Sequence, residues 1–154
     1  MRAPHTVLLL VFPDFQLLDA TGPADVFAAV DEHLPPAKRP AYRLEALSLA
    51  GGLVRSSTGL ELATRALSEP EQAAGCTVLV AGGFGVQAAL QQGDLARWLA
   101  RAAPHATRCA SVCTGAFLLA QAGLLDGRPV VTHWRYAQWL QRLFPRVRGM
   151  PDAL

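Results

Sequence analysis

Cys113 stands in the segment RCASVCTGAFLLAQAGLLDG, at the border between a short apolar run and a helix-forming stretch rich in small residues. Ser111 lies two places before it and Gly115 two places after. Small residues at those offsets suit a sharp strand-to-helix turn, because such a turn drives backbone against backbone. A thiol carried on that turn would sit at the start of a helix, whose free N–H groups and dipole favour the thiolate. The location therefore predicts a nucleophilic cysteine with a lowered pKa. The competing reading is a small apolar residue buried in a tight packing spot.

Other residues could complete such a site. VAGGFG (80–85) ends an apolar run in glycines, and the N–H groups of Gly82 and Gly83, with that of Thr114, would make an oxyanion hole. A plain turn explains the glycines equally well. LLDATGP (17–23) puts Asp19 just past the first apolar run. Its carboxyl would share a proton with the thiol, stabilise a thiolate or position water; alternatively it caps a helix opening near Pro23. His133, in VVTHW, is read either as a base or ligand contact or as a structural hydrogen-bonder. Cys76 and Cys109 fall in strand-like runs and read as core. Three cysteines without CxxC spacing exclude a disulfide framework and a zinc site. No metal and no cofactor is expected.

The elements that must position these groups follow from patterning. TVLLLVF (6–12), CTVLVAGG (76–83) and TRCASV are solid apolar runs, as strands covered on both faces require. YRLEALSLA (42–50) is a further strand, and GGLVRSSTGLELATRAL reads as a small hairpin. Helices are expected over PADVFAAVDEHL with Pro23 in its first turn, EPEQAAG, GDLARWLARAAPHA, CTGAFLLAQAGLL and RYAQWLQRLF. PDFQLLDATG is read as a loop. The alternation of strand and helix predicts an α/β fold: a doubly wound, mostly parallel sheet with helices on both faces, a flavodoxin-like three-layer sandwich.

A chain of 154 residues, 51% hydrophobic and 17% charged, is one domain with a real core, not a disordered segment. No apolar run is long enough to cross a bilayer, and the start lacks a small-residue cleavage site, so the reading is cytoplasmic with no membrane partner. A net charge of +2 gives no argument for nucleic acid by itself. Arginines gather late, at Arg135, Arg142, Arg146 and Arg148, and read as a solvated helix face and its exit.

Taken together, FPDFQLLDATGPADVF, SSTGLEL, VAGGFG, ASVCTGAFLLAQAGLLDGRPVVTHW and LQRLFPRV resemble the ThiJ/PfpI group of class I glutamine amidotransferase-like domains over nearly the whole chain. The pattern is most similar to the N-terminal domain of AraC-type transcriptional regulators, and more loosely to isonitrile hydratase. The resemblance implies that Cys113 is the elbow cysteine, Asp19 its acidic partner and His133 the histidine of a Thr-His-Trp signature. Thr114 and Gly83 would line an anion pocket. Thr114 stands where PfpI-type peptidases carry histidine, which argues against peptidase chemistry. The family domain continues through a closing helix that these residues lack, so the chain is read as C-terminally truncated. The implied function is a sensor domain that binds a small molecule in the Cys113 crevice as a homodimer. DNA would be contacted only through a helix-turn-helix part outside these residues. The alternatives are an isonitrile hydratase-like enzyme using Cys113 and Asp19, or another cysteine-dependent protein of the same group.

Overall fold

A computed structural model describes residues 3–150. The chain runs β1 (His5–Leu10), α1 (Leu17–Ala29), β2 (Tyr42–Ser48), β3 (Gly52–Arg55), β4 (Glu61–Ala66), β5 (Thr77–Val80), α2 (Val86–Gln92), α3 (Asp94–Ala102), β6 (Arg108–Ser111), α4 (Ala116–Gln121), β7 (Pro129–Val130), α5 (Ala137–Leu143) and β8 (Arg148–Gly149). Six strands form one sheet in the order β3-β4-β2-β1-β5-β6, and β7 pairs with β8 apart from it. All neighbours in the large sheet are parallel except β3 and β4, which form the expected hairpin.

The apolar runs explain the sheet's middle. Val7 to Leu10 and Thr77 to Val80 are buried throughout, because helices cover both faces of β1 and β5. From β1 the chain steps one way through α1 to β2; from β5 it steps the other way through α2 and α3 to β6. Right-handed crossovers therefore place α1 and the α2–α3 pair on opposite faces. α4 packs with α2 and α3, and its Ala116 to Ala120 are all buried. Phe117 anchors it, with Trp139 at a ring-centroid separation of 4.5 Å. The strand order reverses between β1 and β5, and crevices beyond the carboxyl ends of strands at such a point take ligands.

Two local expectations are corrected. The first helix begins at Leu17 and carries Pro23 in its interior, so of PDFQLLDATG only PDFQ is loop and Asp19 is not a cap near Pro23. Pro23 has no N–H to give the Asp19 carbonyl, so the helix forgoes that one hydrogen bond. The second is α2, unassigned in sequence. It is a seven-residue helix with only Val86 and Ala89 buried, too short to show a helical period, and it stops at left-handed Gly93.

Candidate functional site

The turn after β6 is as tight as its residue types require. Cys113 has φ of +54°, in the left-handed region, which costs a non-glycine residue about 1–3 kcal/mol and persists only where surroundings enforce it. Two anchors enforce it. The Thr132 hydroxyl donates to the Cys113 carbonyl at 2.9 Å. Gly115 lies flat against β5, so that a Cβ there would run into the Val80 carbonyl oxygen. Replacing Thr132 by the isosteric Val removes the first anchor. We expect a loss of about 1 kcal/mol, read as a fall in Tm of roughly 2–4 °C. An unchanged melting temperature would show that the turn does not need it.

Asp19 reaches the thiol from the first turn of α1. It is 7% exposed and accepts a hydrogen bond from the Gly82 N–H at 2.9 Å. Burial pushes its carboxyl above the ordinary carboxylate range, against the opposing pull of the Gly82 N–H, the Cys113 thiol and the His133 ring. The thiol is also pushed up: burial comes first, then the Asp19 charge, and the Thr114 N–H and hydroxyl only partly offset them. The expected lowering of the Cys113 pKa is thus corrected. The helix following it opens as a three-residue 3-10 turn and continues for only six residues, so its dipole is weaker than a buried carboxylate alongside.

Gly83 lines the cleft with the thiol and Gly82 lies behind it against Asp19 and Thr114, and the N–H groups of both are committed elsewhere. Gly82 holds Asp19, and Gly83 donates to the Thr114 hydroxyl at 2.9 Å. A Cβ on Gly82 would come within 2.9 Å of the Asp19 Oδ2. Both positions act as braces for the acid and for Thr114, whereas the Thr114 N–H faces the sulfur. His133 stands at the mouth, with its Nδ1 accepting from the Arg135 N–H at 3.2 Å and its ring stacked on Trp134.

Asp19, Gly83, Cys113, Thr114 and His133 line one cleft of about 470 Å³. Gln16, Phe84, Trp134 and Tyr136 also line it and escaped the sequence reading. Phe84 and Trp134 are 76% and 75% exposed. Their place within VAGGFG and VVTHW is the signal that could have flagged them. Three free cysteines are present, and among the described residues no group of His, Cys, Asp or Glu could hold a metal ion. No described helix is long and apolar enough to cross a membrane.

The chain is 39% identical over 142 residues to an uncharacterised Streptomyces lividans protein from the cpoL 5′ region, covering 92% of this chain and 96% of that protein. It is 32% identical to the HTH-type transcriptional regulator GbdR of Pseudomonas aeruginosa over 95% of this chain, but spans only 38% of that protein. Isonitrile hydratase of Pseudomonas putida is 35% identical over 87% of this chain and 54% of its own length. Among solved structures, an AraC family transcriptional regulator from Pseudomonas putida superposes with a TM-score of 0.80 at 26% identity, covering 97% of this chain and 77% of that one. The DJ-1/PfpI family model matches residues 5–144. With its elbow thiol at the carboxyl ends of a parallel sheet, the chain belongs to the DJ-1/PfpI family.

Proposed function

We propose that this chain is the sensor domain of an AraC-type transcriptional regulator and binds a small molecule in the Cys113 cleft. The observation that carries the reading is a thiol that burial and Asp19 keep protonated, in a cleft walled by exposed aromatic rings. Such a cleft is built to hold a ligand, not to present a resting thiolate. Similarity to GbdR over nearly the whole chain supports the class. In this reading residues 1–154 form one domain, at work in the cytoplasm as a homodimer, and sequence-specific DNA contact belongs to a separate helix-turn-helix part. Leu18 and Val26, exposed on α1, offer apolar surface for pairing.

The test is a thermal-shift screen of small polar metabolites. A ligand at a hundred times its Kd adds about 2.7 kcal/mol, and the shift should vanish with Trp134→Ala. A screen in which every shift survives that variant would overturn the reading. The second reading, an isonitrile hydratase-like enzyme, is favoured by the Asp19–Cys113 hydrogen bond. There the thiol adds across the isonitrile carbon, its proton passing through Asp19, and water then displaces the sulfur to release a formamide. Formamide produced from an alkyl isonitrile, and lost in Cys113→Ala, would favour it over the sensor.

A further inference from the structure

We infer that the β7–β8 ribbon carries an arginine surface that contacts the phosphate backbone of duplex DNA without reading its sequence. The observation is a concentration of one charge. Residues 127–150 hold Arg128, Arg135, Arg142, Arg146 and Arg148 and not one lysine, aspartate or glutamate. The rest of the chain is acidic, with nine basic residues against twelve acidic ones. The net charge of +2 hides this division.

The fold gathers three of these side chains. Arg146 and Arg148 flank Val147, which is 1% exposed, so the extended chain turns both arginines away from the core. Arg128 stands beside them: its carbonyl accepts from the Arg148 N–H at 3.1 Å, and the Gly127 N–H donates to the Arg146 carbonyl at 2.8 Å. All three are exposed. Asp126 pairs with Arg146 at 2.9 Å and is the one carboxylate among the described residues that pairs with any of these three. Arg142 ends α5, and Arg135 lines the cleft. Guanidinium groups match phosphate oxygens in pairs, which an ammonium does not. The same fork pairs with carboxylates, so what singles out phosphate is the regulator reading, and an acidic protein is the outcome that competition tests.

The choice of duplex DNA rests on the regulator reading, but the inference goes beyond it by giving this domain a weak contact of its own. The experiment is fluorescence anisotropy with a random-sequence duplex of about three helical turns, repeated across a salt series. Three phosphate contacts give a slope in log affinity against log salt near −2.7, hence roughly a 40-fold loss between 50 and 200 mM salt. The triple variant Arg128→Gln, Arg146→Gln, Arg148→Gln should weaken binding about tenfold or more at the low-salt end and flatten the slope by up to about 2.7. Arg97→Gln with Arg101→Gln, on α3, should change neither. The single variants give the same ordering should the triple variant fold poorly. Equal binding by wild type and the ribbon variants would overturn the inference, as would stronger competition by poly-glutamate than by unlabelled duplex, which would point to an acidic protein. Metabolite-induced thermal shifts, measured on the same variants, report on the cleft separately.

Discussion

Replacing Asp19 by Asn should make Cys113 react faster and the folded protein more stable at neutral pH. Asn can still accept from the Gly82 N–H and donate to the sulfur, so the contacts survive and only the charge goes. Without that charge the thiol pKa falls, because Asp19 opposes the thiolate both by its charge and by its hydrogen bond. Each unit by which the thiol pKa falls raises the thiolate fraction about tenfold at neutral pH. Lower nucleophilicity takes back part of this, for a net gain of roughly threefold. Alkylation of Cys113 by iodoacetamide at neutral pH, followed by peptide mass spectrometry, measures this. Cys76 and Cys109, both pushed up chiefly by burial, should stay slow. An unchanged rate at Cys113 would mean that burial alone holds the proton.

The stability effect follows from the direction in which Asp19 is pushed. A carboxyl raised in the folded state keeps its proton while the unfolded chain releases one. The folded state therefore loses stability as pH rises from about 4, the unfolded value, through the raised folded one. Below that window the penalty is absent. Above it the penalty is complete, at about 1.4 kcal/mol for each tenfold by which folding tightens the hold on the proton. The Asn variant should lack this slope and exceed wild type at neutral pH. Urea melts taken below, within and above that window check it, and parallel curves for the two proteins would refute it. Cys113 adds a second decline at alkaline pH of the same sign, because its proton too is held in the folded state.

The second large effect is expected of Gly115→Ala. The added Cβ would collide with the Val80 carbonyl oxygen and lie 2.8 Å from that of Ala81. Both belong to the backbone at the end of buried β5, so neither can swing aside. We expect a loss of about 3 kcal/mol, the upper range for overpacking, and a fall in Tm on the order of 10 °C. A loss below about 0.5 kcal/mol, the level of an ordinary surface change, would show that the turn yields easily.

The spacing of Ser111, Cys113 and Gly115 disclosed the elbow because the steric demand is local: a tight turn admits few residues, wherever it lies in a fold. Asp19 was legible as a partner for a similar reason, since it follows the first buried strand at the sheet's carboxyl edge. Its helical setting was not, because Pro23 looked like a helix start and α1 in fact opens earlier, at Leu17. The thiol's raised pKa was also out of reach. It depends on how deeply Asp19 and Cys113 are buried together, a tertiary quantity that neither local stretch encodes. The aromatic walls were missed because exposed Phe84 and Trp134 break no rule of pattern; they matter only once the loops after β5 and β7 meet.

The anchors of the turn at Cys113 have a consequence of their own. What bends the chain is a carbonyl held by Thr132 and a bare Gly115 against β5; sulfur takes no part in either. Scaffold and reagent are separable here. A glycine or asparagine at 113 would adopt the same backbone at lower strain, leaving Asp19 and the cleft in place. One architecture can therefore pass between reacting with a molecule and merely recognising it through the exchange of a single side chain, with no refolding in between.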